Sequence, residues 1–379
     1  MFAGEVSGEN HGYHLIQAFH QVFPEAQLSG IGGGKMISPH FFSLGEITSL
    51  NAFQLSHFKR FTLKRKLDDV LKTVEEYVSN HPPAAFIFIG IADDTQYFVM
   101  KLIAMAKKYQ IKTYYYFSPH VWLWSRKKTL KVSSEVDAIF TFFDREENAY
   151  RNAGAWTVPV SHPILDELPE KAEKPAFCSR YGINASAQVI SLIYGSRKAE
   201  IKHNGRVIRR VVKQLEKIFP DAVFVSALTE DRVDRSLRKS LMGIKNHQFL
   251  IRTGDYYSLI GSADVSLTCS GTASLETAVY KTPQVIFYRM NRINYLFWRL
   301  AAFFWRVKDI CIGMPNIILG KKTIPGHIQP CFWDDKLFND LTFLLKNPDN
   351  QNEELSRLVE QLGVKGGIIQ AVNFIKKTL

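Results

Sequence analysis

The sequence predicts an α/β fold of two Rossmann-like, doubly wound domains that face a central cleft. Its 379 residues and 46% hydrophobic content suffice for two domain-sized cores. Short apolar runs alternate with longer segments of helical period, which indicates βα units on parallel sheets. A stretch at 161–177, rich in proline and charge and without periodicity, divides the runs into two groups. Ligands of such domains bind at the carboxyl ends of strands.

The apolar runs are the predicted strands. The first half has AAFIFIGI (84–91), KTYYYF (112–117) and VDAIFTFF (136–143). The second half has QVISLIYG (188–195), DAVFVSA (221–227), HQFLIRT (247–253), ADVSLTC (263–269) and PQVIFYR (283–289). The chain opens with MFAGEVSG, which reaches a glycine turn after almost no strand, so either the start is truncated or the first strand is very short. The predicted domains are 1–165 and 166–354, and a C-terminal helix at about 355–379 is expected to pack back on the first.

Composition excludes several classes of protein. Four cysteines, at 178, 269, 311 and 331, have neither paired metal-ligand spacing nor the density of a disulfide scaffold, so a reduced cytosolic setting without disulfide or zinc is expected. The net charge of +12 favours polyanions, namely nucleic acid, an anionic membrane surface or phosphorylated small molecules. Nucleic acid is disfavoured because no RNA-binding signature accompanies the charge. The sequence has no signal-peptide architecture and no run of about 18 uncharged apolar residues.

One stretch, NYLFWRLAAFFWRVK at 294–308, has an amphipathic pattern. Aromatic and aliphatic residues are interrupted there by Arg299, Arg306 and Lys308. The pattern fits a helix that lies at a membrane interface. A buried helix beneath the cleft fits it as well.

The stretch CSGTASLE, residues 269–276, stands where a strand becomes a helix. Ser270, Gly271 and Thr272 would present backbone N–H groups and hydroxyls at a helix N-terminus, which suits a diphosphate. Glu276 lies one turn later on the same face, so its carboxylate could accept hydrogen bonds from a ribose. The alternative is an ordinary N-cap by Ser270 or Thr272, with Glu276 as an exposed acid.

A second glycine turn, Gly195-Ser196-Arg197, closes the first strand of the second half. Arg197 could contact a diphosphate through its two-pronged guanidinium and stabilise the charge on a departing nucleotide. The alternative for Arg197 is a surface salt bridge to Glu200.

Eight short motifs follow in order: AGEVSGENHG (3–12), GIGGGKM (30–36), SPHVWLW (118–124), SHP (161–163), GSR (195–197), SGTASLE (270–276), FYRM (287–290) and MPNIILGKKTIPGHIQ (314–329). In this order they resemble the bacterial lipid-A-disaccharide synthase family, glycosyltransferases of the two-Rossmann GT-B architecture. The resemblance covers nearly the whole chain.

The resemblance implies an inverting transfer. A UDP-activated 2,3-diacylglucosamine donates its sugar to 2,3-diacylglucosamine 1-phosphate, which releases UDP and forms a β-1,6 disaccharide precursor of lipid A. It implies no metal or cofactor, a place at the cytoplasmic face of the bacterial inner membrane as a peripheral protein, and contact with an anionic membrane surface. The resemblance leaves open whether the chain forms a homodimer.

The resemblance also implies roles for single residues. Ser270, Gly271, Thr272 and Glu276 would carry the donor nucleotide, and the pocket would be completed by Gly195, Ser196, Arg197, Asn316 and Gln329. The turn Ser7-Gly8-Glu9 would lie nearer the acceptor. His120 and His162 are possible proton carriers, but structural roles in turns suit them at least equally. His11, next to Gly12, is a less supported candidate of the same kind.

The chain departs from the family at its catalytic motif. Where the family reads IDxPDF, this chain reads IGIADDTQYF (89–98), and a gapless placement puts Ala92 at the position of the catalytic aspartate. An insertion placed early brings Asp94 there instead, with Asp93 beside it. An aspartate at the carboxyl end of a strand suits a general base for the acceptor hydroxyl. The alternative is that Asp94 is the N-cap of the following helix.

These departures leave two classes of function. The first is the lipid-A-disaccharide synthase reaction. The second is a related UDP-sugar transferase with another acceptor, or a non-catalytic UDP-binding homologue.

Overall fold

Two parallel β-sheets organise the chain, and each belongs to its own compact unit. Unit 1 comprises Met1–Glu167 and Leu362–Leu379, and unit 2 comprises Leu168–Gln361. The structure, a computed structural model, describes residues 1–4, 6–46, 57–90, 96–118, 134–195, 198–228, 241, 243–250, 254–289, 312–329 and 334–379.

The strands of unit 1 are β1 (Phe2–Ala3), β2 (Ser29–Ile31), β3 (Phe42–Gly45), β4 (Ala85–Ile89), β5 (Lys112–Phe117), β6 (Ala138–Thr141) and β7 (Thr157–Pro159). They lie in the order β3-β2-β1-β4-β5-β6-β7. The strands of unit 2 are β8 (Val189–Ile193), β9 (Val223–Ala227), β10 (His247–Leu250), β11 (Val265–Cys269), β12 (Gln284–Arg289) and β13 (Gly326–Gln329). Their order is β10-β9-β8-β11-β12-β13, and all neighbouring strands in both sheets are parallel.

The helices of the described chain are α1 (Val6–Val22), α2 (His57–Asn80), α3 (Gln96–Tyr109), α4 (Asp144–Arg151), α5 (Ile164–Glu167), α6 (Lys174–Tyr181), α7 (Lys198–Ile218), α8 (Asp255–Ser262), α9 (Thr272–Val279), α10 (Met314–Leu319), α11 (Asp334–Lys346), α12 (Asn352–Leu362) and α13 (Gly367–Thr378). Within the described ranges, every helix is too short or too polar to span a bilayer.

Strand β4 illustrates why each sheet is covered on both faces. Its successive side chains point to opposite faces. Phe86 and Phe88 join the cluster that contains side chains of α2 and α3. Ile87 and Ile89 join the cluster that contains side chains of α1 and α13. A strand buried on both faces reads as a continuous apolar run, which is why AAFIFIGI lacks alternation.

The predicted α/β class with doubly wound parallel sheets is confirmed. All eight predicted strands are present, as β4, β5, β6 and β8 to β12, and residues 251–253 of the sixth lie outside the described residues. The strands missing from the prediction are β2, β3, β7 and β13, which have only three or four residues, whereas β1 is the very short first strand that the opening MFAGEVSG allowed. Runs this short carry too little periodicity to be recognised.

Both sheets reverse their strand order once. In unit 1 the reversal lies between β1 and β4, and in unit 2 between β8 and β11. The connections that follow the two adjacent strands run in opposite directions, which leaves a crevice at the carboxyl ends of these strands. The two reversals are therefore the places to look for ligand-binding residues.

The C-terminal stretch 355–379 contains two helices. Most of α12 belongs to unit 2, whereas α13 belongs to unit 1 and packs on α1. Between them, Gly366 caps α13 with a positive φ of 105°. The Asp166 carboxylate accepts hydrogen bonds from the backbone N–H groups of Gly366 and Ile368, so an acidic side chain of α5 occupies the positive end of α13.

Candidate functional site

The unit 2 site begins where β8 and β11 end side by side. The register pairs Thr268 with Ile193, the last residue of β8. Tyr194 and Gly195 follow β8, while Ser270 and Gly271 follow β11. The structure therefore brings the two predicted glycine turns to one crevice edge, although 75 residues separate paired positions such as Ser191 and Ser266.

Gly195 is required at its position for two reasons. Its φ is +99°, a conformation that L side chains rarely adopt. A Cβ atom there would also meet the Glu200 Oε2 atom at 2.7 Å and the Cys269 Sγ atom at 3.3 Å. The turn after β8 therefore lies close to the end of β11, where a side chain on this residue would crowd Cys269 and displace the Glu200 carboxylate.

The first turn of α9 has the geometry of an anion cradle. Gly271 is the N-cap, with a φ of 150°, and no side chain of a described residue caps the helix. The N-cap alternative for Ser270 or Thr272 is thus not realised. The N–H groups of Ser270 and Ser274 donate to the carbonyls of Phe287 and Gly271. Gly271 and Thr272 are exposed, so the remaining donors of this helix start lie at the surface.

Glu276 is held by a neighbouring helix. Its Oε2 atom accepts a hydrogen bond of 2.7 Å from the hydroxyl of Tyr256 on α8. Burial, with the nearby Glu276 charge, raises the pKa of Tyr256 well above its usual value, so the hydroxyl stays a donor. Sequence reasoning missed Tyr256, because no local pattern links it to a carboxylate on the next helix.

Asn316 has a clear structural role. It is 1% exposed, and its Nδ2 atom donates to the carbonyls of Ile312 and Ile324. Its Oδ1 atom accepts from the backbone N–H groups of Thr323 and Ile324. These four bonds shape the loop that leads into β13, whose last residue is Gln329. The Gln329 backbone pairs with Arg289 of β12, and its side chain lies outside the described residues.

Asn204 on α7 ties the two turns together and was also missed. It is 2% exposed, and its Nδ2 atom donates to the Tyr194 carbonyl at 2.7 Å and contacts the Cys269 Sγ atom at 3.4 Å. The sequence signal for Asn204 was weak, because a single Asn in a helix with a strong apolar face resembles a surface residue.

In unit 1, the reversal between β1 and β4 holds two glycines in contact. A Cβ atom on Gly8 would lie 2.7 Å from the Ile89 carbonyl oxygen, and one on Gly90 would lie 3.0 Å from the Gly8 Cα atom. The start of α1 therefore packs directly on the end of β4. Ser7 is exposed at this same edge.

The motifs AGEVSGENHG and GIGGGKM interlock. The buried Glu9 accepts a hydrogen bond from the Gly33 backbone N–H at 2.7 Å. A Cβ atom on Gly12 would meet the Met36 Sδ atom at 2.7 Å, and one on Gly32 would meet it at 2.5 Å. These glycines make room for the fully buried Met36, which fixes the turn after β2 against α1.

A carboxylate–imidazole pair lies beside this edge. His11 Nδ1 and Glu167 Oε1 are 2.6 Å apart, and the two side chains are only 8% and 6% exposed. The His11 ring stacks on Phe117, the last residue of β5, with centroids 4.0 Å apart. Burial raises the pKa of the Glu167 carboxyl, but the hydrogen bond from His11, the charge of Lys35 and the charges of His11 and His14 in their protonated forms together lower it more, so the net shift is downward.

The remaining sequence candidates are distributed as follows. Asp93, Asp94, His120, Ser196 and Arg197 lie outside the described residues. His162 is buried, and its Nδ1 atom accepts a hydrogen bond from the Ile164 backbone N–H at 3.1 Å, which is a turn-forming contact. Among the residues that the structure describes, no cluster of His, Cys, Asp and Glu side chains could hold a metal ion.

The fold resembles solved enzymes that act on UDP-sugars. A UDP-GlcNAc 2-epimerase from Neisseria meningitidis, bound to UDP-GlcNAc, aligns with a TM-score of 0.61 at 11% identity over 100% of this chain and 99% of that one. The S. aureus MnaA–UDP co-structure aligns with a TM-score of 0.63 at 11% identity over 100% and 95%. At this identity the likeness shows the fold, which is the two-Rossmann GT-B architecture.

Sequence comparison identifies the family. The family model for Lipid-A-disaccharide synthetase matches residues 1–367. A lipid-A-disaccharide synthase of Azoarcus sp. is 30% identical over 353 residues, which cover 92% of this chain and 87% of that protein. One of Hydrogenovibrio crunogenus is 29% identical over 370 residues, covering 95% and 93%. The chain belongs to the lipid-A-disaccharide synthase family and is a glycosyltransferase.

Proposed function

We propose that the crevice at the ends of β8 and β11 holds a UDP-activated 2,3-diacylglucosamine, whose sugar is transferred with inversion to 2,3-diacylglucosamine 1-phosphate. The products are UDP and the β-1,6-linked disaccharide. The observation that carries the proposal is the uncapped start of α9 beside Gly195, at the strand-order reversal of a chain that the family model matches over residues 1–367.

The donor roles follow from charge and geometry. The backbone N–H groups of Gly271 and Thr272 and the hydroxyls of Ser270 and Thr272 bind the diphosphate, because a helix start carries partial positive charge. The Ser270 N–H group itself donates to the Phe287 carbonyl at 2.8 Å. Glu276, oriented by Tyr256, accepts hydrogen bonds from the ribose hydroxyls. Two similar solved structures contain UDP or UDP-GlcNAc, which supports a nucleotide of this class.

Four further residues complete the donor pocket. Gly195 and Ser196 approach the diphosphate, and Arg197 stabilises the charge that grows on the leaving UDP. Gln329 closes the pocket at the end of β13. Asn316 acts on this pocket through the loop that it orders, since its four hydrogen-bonding positions are occupied by backbone groups.

The acceptor side is assigned to unit 1, near Ser7 and Gly8. The acceptor hydroxyl must lose its proton as the glycosidic bond forms. Asp94, with Asp93 beside it, is the proposed base, and the role of Asp94 as an N-cap stays the alternative.

The charge of the chain suits its proposed partners. Both lipid substrates are anionic, and the net charge of +12 attracts phosphates and an anionic membrane surface. We place the protein at the cytoplasmic face of the bacterial inner membrane, where the stretch 294–308 contacts acyl chains or the bilayer. A homodimer is compatible with this placement.

A second candidate function is favoured by the departure at Ala92, where the gapless placement lacks an aspartate. The chain would then be a UDP-sugar transferase with another acceptor, or a UDP-binding homologue without catalysis. The test is UDP release from UDP-2,3-diacylglucosamine by the purified protein, with and without the lipid monosaccharide phosphate. Release that depends on this acceptor is expected. UDP binding without any release would overturn the transferase proposal.

A further inference from the structure

We infer that the proton released by the acceptor hydroxyl ends on the Nε2 atom of His11, which Glu167 holds in orientation, whether or not Asp94 takes that proton first. The inference rests on the proposed transfer reaction and names a proton acceptor for it.

The position of His11 suits this role. It lies on α1, three residues after Gly8, and its ring stacks on Phe117 at the carboxyl end of β5 with an interplanar angle of 12°. The contact of Gly8 with Gly90 marks the same edge of the sheet. The imidazole is therefore at the edge where doubly wound sheets bind their ligands.

The hydrogen bond to Glu167 determines which nitrogen can accept a proton. An ionised carboxylate only accepts hydrogen bonds, so Nδ1 must carry the hydrogen that it shares with Glu167 Oε1 across 2.6 Å. The lone pair is then on Nε2, which has no hydrogen-bond partner among the residues that the structure describes. A carboxylate that fixes an imidazole in this tautomer also stabilises the imidazolium that forms on protonation.

A pair that served only to stabilise the fold would not need a fixed tautomer and an Nε2 atom without a partner among the described residues. Replacement of a buried ion pair by apolar residues is often neutral or stabilising, so burial of two ionisable groups is a poor device for stability alone. The ring is also fixed in two directions, by Phe117 on its face and by Glu167 at Nδ1. Such orientation is what a proton acceptor needs.

Other charges act on the pair. Glu167 lies in the field of His14 and Lys35 as well as of His11, and these charges help to keep the carboxylate ionised although burial opposes it. Other titratable or charged groups lie near the pair on α1, the turn at 34–36, β5, α5 and the turn before α5, namely Glu9, Lys35, His14, Tyr116, His162 and Asp166. On α13, the Lys376 Nζ atom donates a hydrogen bond to the Val22 carbonyl, at the end of α1 that is remote from the pair.

The sugar transfer conserves atoms and electrons. The O–H bond of the acceptor hydroxyl breaks and its electron pair forms the new bond to the anomeric carbon. The bond from that carbon to the diphosphate oxygen breaks, and its electrons leave with UDP. The proton is bound by Nε2 of His11 and is later released to water.

The test measures kcat and kcat/KM as functions of pH for the wild-type protein, His11→Asn and Glu167→Gln. Asparagine keeps an N–H group that can reach Glu167 but has no counterpart of Nε2. We expect the wild-type rate to fall on the acid side of the profile, because a protonated imidazole has no lone pair with which to accept the proton. His11→Asn should lose about 10²–10⁴-fold in kcat together with this acid limb, while UDP affinity stays unchanged. The unfolding temperature should fall, because the buried Glu167 loses its imidazole partner, so the retained UDP affinity is the evidence that the variant is folded.

Glu167→Gln supplies the readout that a structural role would not give. The amide keeps an oxygen for Nδ1–H but removes the charge that stabilises the imidazolium, so the acid limb should move to lower pH. His20→Asn, an exposed residue on the same helix, serves as the control and should keep the wild-type profile.

The outcomes separate the two proposals. An active wild type with an unchanged rate and acid limb in His11→Asn, or Glu167→Gln with a lower rate but an unmoved limb, overturns the role of His11 alone. A wild type that binds UDP but releases none from the donor overturns the transfer reaction, and the role of His11 with it.

Discussion

The hydroxyl of Tyr256 donates a hydrogen bond to Glu276 across 2.7 Å and so connects α8 to α9. The bond restricts the carboxylate to one orientation on the helix that begins the diphosphate cradle. Tyr256 and Glu276 are both half-buried, and the hydrogen bond between them orients the carboxylate. This arrangement allows the ribose role of Glu276 to be tested with two substitutions of graded severity.

Glu276→Ala should weaken UDP binding by about 1.5–3 kcal/mol, the range for a hydrogen bond to a charged group. Tyr256→Phe should weaken it by about 0.5–1.5 kcal/mol, because the carboxylate remains but is less restricted. Calorimetric titration with UDP measures both, with thermal unfolding as the control for folding. Unchanged affinity in Glu276→Ala would reject the cradle.

Arg197→Ala should reduce turnover more than it reduces donor binding. The charge on the diphosphate grows towards the transition state, so an interaction with the leaving group has its main effect on kcat. Steady-state kinetics and UDP-sugar binding, measured on the same preparation, separate the two effects. Normal turnover would leave Arg197 with the role of a surface residue.

Asp94→Asn distinguishes a base from a helix cap. A base predicts the loss of most transferase activity, while UDP binding and thermal stability stay near those of the wild type. Asp93→Asn is expected to do less. A cap predicts that Asp94→Asn is nearly silent in every assay, because asparagine caps a helix about as well as aspartate does.

Gly195→Ala should lower both UDP affinity and stability. The new Cβ atom would contact the Glu200 Oε2 atom at 2.7 Å, and the backbone would be strained at its φ of +99°. Gly182→Ala is the matched control, because Gly182 has a φ of +65° but nothing within 4 Å of a built Cβ atom. The control should cost only the conformational penalty, about 1–2 kcal/mol by thermal or urea unfolding. Equal effects of the two substitutions on UDP affinity would contradict the contact at Gly195.

His247 should make stability depend on pH. Burial lowers its pKa to about 4, whereas an imidazole in the unfolded chain titrates near 6.5. The unfolded state therefore binds a proton that the folded state does not, so stability is complete above about pH 6.5 and falls as the pH drops towards 4. Urea unfolding should give about 2 kcal/mol less stability at pH 5 than at pH 7 from this group, and His247→Asn should reduce that difference. A difference that His247→Asn leaves intact would assign it to other groups.

Local patterns located many of the elements. Strand β5 has the bounds predicted for KTYYYF, because its apolar run is bordered by polar residues on the N-terminal side and a serine-proline pair beyond. The two-residue strand β1 could not be recognised in the same way. It is held by its backbone pairing with β2 and β4 on either side, which no sequence window contains.

The candidate sites show the same division. The stretch 270–276, proposed to hold the diphosphate, is visible in the sequence because a strand end, a glycine and a helix start are consecutive along the chain. The pair of His11 with Glu167 is not visible, since 156 residues separate its members and Glu167 stands in a stretch that reads as a linker. Asn316 was predicted in the donor pocket, but the hydrogen bonds that occupy its side chain come only with the folded loop.

The sequence by itself determined the fold class, the two glycine turns of unit 2 and the family of the chain, because these depend on residues that are close together or on motifs in a fixed order. Only the tertiary structure decided which turns share an edge and which polar groups are already occupied. It also decided that Glu167 orients His11 and that Tyr256 orients Glu276. The physical reason is that such contacts arise from sheet order and helix packing, which bring together side chains whose separation along the chain carries no information about their distance in space.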